Sequence, residues 1–303
     1  MPASRRFPLL LIGAFLALYL IWGSTYLFIR IGVESWPPML MAGVRFMIAG
    51  GLLYGFLRWR GVPAPTWRQW RAAGAIGFLL LSCGNGGVTV AEHAGVASGV
   101  AALAIATVPL FTLLFGLLFG HRNSPLEWAG IALGLVGIGL LNLGSNLQAS
   151  PIGAALILFA AASWAFGSVW SKSLPLPAGP MASAAEMLVG GAVLLLGSAV
   201  SGERMTQMPS AAGWGALAYL VLFGSILAFS AYMYLLKHVR PAAATSYAYV
   251  NPAVAVLLGI IFAGEQIGAE ECLAMAVIIS AVVLIGLPQW RRPPQPLEGE
   301  ICK

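Results

Sequence analysis

Apolar residues run along the chain in long unbroken blocks rather than in the two-residue alternation of half-buried strands, and polar residues collect between the blocks. Windows of about 20 residues with little or no charge, the length that crosses a bilayer core at about 1.5 Å per helical residue, fall at 8–29, 38–57, 72–91, 95–119, 128–143, 151–170, 180–200, 211–236, 241–263 and 272–287. The fifth and tenth are short. Proline and charge punctuate their boundaries, as at Trp36-Pro37-Pro38 and between Arg58 and Arg71. The pattern predicts an all-α polytopic membrane protein with ten transmembrane helices. Short loops and two tails take the remaining residues, so function is expected inside the bundle.

Composition agrees and excludes several chemistries. Only 9% of the 303 residues are charged and 59% are hydrophobic, against about 25% charged in an average soluble protein. The chain contains no Asp, which removes Asp-based triads and magnesium ligation together. Three scattered cysteines, Cys83, Cys272 and Cys302, make neither a disulfide framework nor a metal site, and no metal or other cofactor is expected. The apolar run from Phe7 to Ile29 exceeds the roughly 7–15 residues of a signal-peptide core and has no clear cleavage site. It is expected to stay as the first span.

The charges also set orientation. With the N-terminus inside, inner segments hold thirteen of the sixteen Lys and Arg residues, outer loops hold Arg30 and Arg204, and Arg45 lies within a span. That bias puts both termini in the cytoplasm. It accounts for the net charge of +6 without invoking nucleic acid, which would need the basic residues gathered on one soluble face.

The chain repeats itself at an offset near 142. Trp22 pairs with Trp164 and Pro38 with Pro180 at 142, while Pro109 pairs with Pro252 and Glu127 with Glu270 at 143. Each copy spans five helices, an odd number, so the second copy enters the membrane from the opposite face. A five-plus-five inverted repeat is expected, with a first repeat at 8–143, a second at 151–287, and a proline-rich, disordered cytoplasmic tail at 288–303. Inverted repeats suit alternating access to a site between the halves.

Four predicted helices carry polar or aromatic pairs at i, i+4, each pair on one face: Trp22 with Tyr26, Asn85 with Thr89, Trp164 with Ser168, and Tyr247 with Asn251. Packing or an interfacial belt accounts for an isolated Trp or Tyr. Trp22 and Trp164, however, lie about 20 Å into a core of about 30 Å, where a belt does not reach. Pro109 and Pro252 stand mid-span beside Thr107 and Asn251, and each removes a helical donor. They read as hinges, or as packing kinks. Arg45 and Glu186 are the charges well inside spans, and an ion at that depth is by default functional. Arg45 is expected to meet an anionic group of the substrate or to gate the outer side, and Glu186 to gate the inner side or carry a proton. The plainer alternatives are a snorkelling Arg and a neutral or hydrogen-bonded Glu. Gly116 with Gly120 and Gly130 with Gly134 read as close helix contacts.

Leu20-Ile21-Trp22-Gly23-Ser24-Thr25-Tyr26, Ala42-Gly43-Val44-Arg45-Phe46, Ala106-Thr107-Val108-Pro109-Leu110-Phe111 and Tyr247-Ala248-Tyr249-Val250-Asn251-Pro252, with the ten spans and the repeat, resemble the EamA branch of the drug/metabolite transporter superfamily. The resemblance runs to about Leu287. It implies a bacterial inner-membrane exporter that moves amino acids, metabolites or drugs through a central cavity without ATP. Its partners would be a small-molecule substrate, the lipid bilayer and protons. A Trp- and Tyr-lined cavity suits amphipathic, aromatic or cationic solutes. Two rivals are a passive facilitator of the same solutes and a membrane enzyme acting on lipid-linked substrates; the lack of Asp and of clustered His and Glu speaks against the enzyme.

Overall fold

Proline stands in the first turn of half of the helices. Its missing N–H costs nothing in the first helical turn, where backbone donors lack partners anyway. The computed structural model describes residues 3–93, 104–141, 151–254 and 269–290. Its helices are α1 (Ala3–Val33), α2 (Pro38–Trp59), α3 (Trp67–Gly77), α4 (Gly87–His93), α5 (Val108–Leu118), α6 (Pro125–Leu141), α7 (Pro151–Trp170), α8 (Pro180–Val200), α9 (Ala211–Tyr219), α10 (Ala228–His238), α11 (Pro241–Ala244) and α12 (Ala269–Trp290). Residues 247–254 are helical as well. Glycines in the left-handed region close helices that proline opens: Gly61 (φ 81°) follows α2 and Gly202 (φ 74°) follows α8.

Among the described residues, six helical runs are long and apolar enough to cross a membrane, and Val108–Leu118, Pro125–Leu140 and Cys272–Leu287 are shorter apolar helices. The expected fourth and ninth spans extend into residues 94–103 and 255–268, outside the described residues. The seventh expected span coincides with its helix, Pro180–Val200. Others grow into their caps: the third starts at Trp67 because Thr66 and Gln69 form a reciprocal capping box. The last helix continues to Trp290, past the expected start of a disordered tail at 288; residues 291–303 lie outside the described residues.

Two helices change hydrogen-bond register midway. A π-helical segment, Phe78–Gly86, joins α3 to α4, and another, Leu220–Leu227, joins α9 to α10. The two start 142 residues apart, the same offset that pairs Trp22 with Trp164. Hydropathy carries no mark of a π register, so neither was expected. Such segments widen the helix and redirect backbone carbonyls.

Packing is symmetric about the middle of the chain. α2 lies against α8, and α6 against α12. α1 packs on α9, the second π segment and α10, while α7 packs on the first π segment and α4. Each half's first helix therefore rests on the other half's third. Glycine allows the closest approaches: a Cβ at Gly50 would come within 2.9 Å of the Leu188 backbone, and one at Gly130 within 3.0 Å of the Ala281 carbonyl. Gly134 faces the Tyr249 ring, so the pair Gly130 and Gly134 makes the close contacts expected of it. Gly116 and Gly120 do not. Gly116 sits beside its own helix's loop at His121, and Gly120 (φ 75°) ends α5.

At the end of the bundle carrying residues 119–124, 171–174 and 238–240, ionic and hydrogen-bonded ties from Arg240 cross between the halves: Arg240 Nε lies 2.7 Å from Glu127 Oε1, and Arg240 donates to the Arg122 carbonyl (2.6 Å). Within the second half, Lys172 Nζ donates to the Val239 carbonyl (2.7 Å). Burial, with neighbouring Lys172 and Arg240, pushes the His121 imidazole below its ordinary value. The opposite end has a different closure: Glu203, after α8, accepts from the Met39 and Leu40 amides at the start of α2 (3.1 and 2.9 Å), where the helix dipole favours a carboxylate.

Candidate functional site

Trp22 is eleven residues from the Val33 end of α1 and Trp164 thirteen from the Pro151 start of α7, so both lie near mid-depth, about 16 and 20 Å along their helices. There they meet, ring centroids 5.5 Å apart and edge to face at 76°. Tyr247 stands edge-on to Trp22 at 4.7 Å, and Tyr232 fills the gap at 5.2 Å from Trp22 and 5.5 Å from Trp164. Edge-to-face packing of this kind adds specific attraction to the burial of the rings. The polar tips are satisfied within the cluster: Tyr232 accepts from Trp164 Nε1 (3.0 Å) and shares a 2.5 Å hydrogen bond with Ser168 Oγ, and Trp22 Nε1 donates to the Gly224 carbonyl (3.0 Å). Gly224 belongs to the second π segment.

Above this aromatic floor, towards the Val33 end of α1, opens a cavity of about 90 Å³. Trp22, Arg45, Asn85, Thr89, Trp164, Tyr247 and Asn251 line it together with Thr25, Ile29, Phe46, Gly224 and Phe229. Seven of the ten substrate-binding residues expected from sequence thus share one cavity. Ser168 lies behind the floor, bonded to Tyr232 and to the Trp164 carbonyl (2.6 Å). Glu186 is fully buried and is not in the wall. The Tyr26 side chain lies outside the described residues.

Arg45 sits 4% exposed in the cavity wall. Its Nε donates to Ser225 Oγ (2.8 Å), in the π segment beside Gly224, and its guanidinium carbon lies 4.8 Å from the centroid of its neighbour Phe46. No carboxylate pairs with it: among the described residues the ion pair is Arg240–Glu127. Asn85 Oδ1 and Asn251 Oδ1 are buried with no hydrogen-bond partner among the described residues. A guanidinium with free N–H groups and two unfilled amide acceptors face one apolar chamber. That combination can hold an acid group and a donor group of one small molecule, with its apolar body against the rings.

Pro109 sits differently from a mid-helix kink, whereas Pro252 keeps an interior position. A turn at 106–107 breaks the chain, and Pro109 is the second residue of the helix that restarts there, Val108–Leu118. The other break is at 245–246, and Pro252 lies inside the helix that follows. The breaks fall two residues before Pro109 and six before Pro252, so they are not equivalent around the prolines, and neither proline lines the cavity. Over the cavity, at the same end of the bundle, a cleft of about 690 Å³ is lined by Glu34, Trp36, His93, Glu203 and Arg204 among others. His93, on the face of Asn85 and Thr89, belongs to this cleft.

The model of the EamA-like transporter family matches the chain twice, over residues 9–143 and 151–287. The chain belongs to the EamA-like transporter family. Among curated proteins it is 57% identical over 293 residues to "Uncharacterized inner membrane transporter YedA" of Escherichia coli K12, covering 97% of this chain and 96% of that one. It is 27% identical to "Probable amino-acid metabolite efflux pump" of Salmonella typhimurium LT2, over 91% of this chain and 95% of that one. A solved crystal structure 22% identical in sequence superposes with a TM-score of 0.75, covering 93% of this chain and 99% of the other, and supports the fold. The protein is a YedA-like, multi-pass transporter of the bacterial inner membrane, and family and relatives point away from an enzyme.

Tyr232, Thr25, Gly224 and Ser225 were not expected. Thr25 stood inside the quoted motif around Trp22. Tyr232 has no polar neighbour at i+4 on its own helix; its partners Ser168 and Trp164 come from the other packing layer, so spacing along one helix could not find it.

Proposed function

We propose that this transporter is a secondary exporter of small amphipathic solutes bearing a carboxylate, of the amino-acid or metabolite class, working by alternating access through the cavity between the two repeats. The carrying observation is the unpaired Arg45 guanidinium, facing Asn85 and Asn251 across a chamber floored by Trp22, Trp164, Tyr232 and Tyr247. A buried cation without a counter-ion is costly, and a substrate carboxylate supplies what the wall lacks. Cation–π contact with the rings serves the ammonium or aromatic part of the same molecule. The name of the Salmonella relative points the same way.

Ten spans in a five-plus-five inverted arrangement, termini in the cytoplasm, complete the reading. The matched π segments, the two family matches and the exchange of first helices between halves support it. In that orientation the cavity and cleft face the periplasm and the Arg240–Glu127 end faces the cytoplasm, so the conformation is outward-facing. Flux from proteoliposomes of L-tryptophan and L-phenylalanine, beside tryptamine and phenethylamine, tests it. Exchange of the acids and exclusion of the amines is the expected result. Equal passage of both sets would refute the carboxylate reading, and flux indifferent to a pH gradient would identify a uniporter.

A further inference from the structure

Glu186 is fully buried in α8, and neither carboxyl oxygen has a hydrogen-bond partner among the described residues. One turn earlier on the same face, Ser183 Oγ is also fully buried and unpartnered. Three oxygens are thus gathered in one turn with nothing to bind, in a helix that otherwise carries no charge. Buried polar atoms normally find partners, and an unexplained cluster at membrane depth is by default functional.

The surroundings decide what the cluster can hold. α8 packs against α2, α3, the first π segment and α10. On α2, Arg45 is bonded to Ser225 and makes no ion pair with Glu186, Tyr54 is half-buried, and Arg58 is exposed. On α3, Arg68 and Arg71 are exposed; the π segment contributes half-buried Cys83. On α10, Tyr234 and His238 are partly exposed, Lys237 is exposed and Tyr232 is buried. Among the described residues no cation pairs with the group and no cluster of His, Cys, Asp or Glu could hold a metal ion beside it; a proton needs only the carboxylate itself.

We infer that Glu186 is the proton-binding site that couples this exporter to the pH gradient, with Tyr232 linking it to the substrate floor. This coupling presupposes the export function proposed above. In the outward-facing conformation the buried carboxyl carries its proton. Opening of the cytoplasmic side hydrates Glu186, six residues from the inner start of α8, and releases the proton there. Tyr232 ties the two events: it packs on the cavity-lining rings Trp22, Trp164 and Tyr247, and its helix α10 packs on α8, which carries Glu186. A solute that moves the rings moves the wall of the proton site, so one proton enters as one solute leaves.

Infrared spectroscopy of the purified wild-type protein reads the site without any substrate. A protonated-carboxyl C=O band near neutral pH that is missing in Glu186→Gln is the expected result; an unchanged band in the variant would overturn the inference. Proteoliposomes loaded with L-tryptophan then separate coupling from transport. Wild type should accumulate the solute against its gradient under an imposed pH difference. Glu186→Gln should lose that accumulation about tenfold or more, yet keep equal-concentration exchange, which also reports that the variant is folded. Retained accumulation in Glu186→Gln, or accumulation driven by sodium and not by protons, would overturn the inference. Absence of wild-type exchange of every probe would instead defeat the cargo reading and leave the infrared result to judge the site.

Discussion

Arg240 Nε lies 2.7 Å from Glu127 Oε1, tying the start of α11 in the second half to the start of α6 in the first. Glu127 is 1% exposed, and its other oxygen accepts from the Ser124 amide (2.7 Å) in a capping box. The repeat supplies Glu270 as the counterpart of Glu127, but the position matching Arg240 at the same offset is Ala97. The acid is duplicated in sequence and the base is not, so the sequence does not repeat the pair.

This asymmetry predicts unequal mutants. Arg240→Gln leaves a buried carboxylate without its cation and should lower stability by about 1.5–3 kcal/mol, the range for charged hydrogen bonds. Glu127→Gln removes the charge and should cost less. The double variant should recover part of the loss, because no charge is left stranded. Melting temperatures in detergent check the order; equal losses for all three would show that the pair is not coupled.

Gly224 and Gly77 should respond oppositely to alanine. At Gly224 the added methyl would meet the end of the Arg45 side chain (2.9 Å) and Thr25 Cγ2 (3.1 Å). Gly224→Ala is expected to fold with near-normal stability and to bind carboxylate solutes weakly, because Arg45 is displaced. At Gly77 the methyl would run into the Glu186 backbone carbonyl, which cannot yield, and Gly77→Ala should cost about 1–3 kcal/mol through overpacking. Thermal melts with a tryptophan-fluorescence binding titration distinguish the two.

Tyr232→Phe keeps the ring but deletes the oxygen that accepts from Trp164 Nε1 and bonds Ser168. A buried indole N–H left unpaired costs about 1–3 kcal/mol. Transport should fall as well, since Trp164 loses its fixed orientation at the floor. Trp164→Phe in the same background should restore part of the stability, having no N–H to satisfy; no recovery would show that the hydrogen bond does not carry the effect.

Much of this was legible in the chain because bilayer insertion writes itself in residue-by-residue polarity. Helix α8 was located to the residue, since Pro180 starts it and an apolar run fills it. Trp22, Arg45, Asn85, Thr89, Trp164, Tyr247 and Asn251, singled out because polar or aromatic groups at depth have few structural excuses, line one cavity. What stayed hidden depends on three-dimensional pairing. The π segments differ from α-helix by one residue of hydrogen-bond register, which hydropathy does not record. Gly224 and Ser225 matter because the fold sets them against Trp22 and Arg45, some 180–200 positions away. Gly120 resembled a packing glycine and is a helix terminator, a difference that lies in its φ of 75°.

The role of Arg45 is the centre of the account, and counterflow of radiolabelled L-tryptophan in proteoliposomes addresses it directly, comparing wild type with Arg45→Gln. Loss of a charged hydrogen-bond pair worth about 1.5–3 kcal/mol raises the half-saturating concentration about 12- to 140-fold, with tryptamine no better than before. Unchanged L-tryptophan exchange in Arg45→Gln would contradict it.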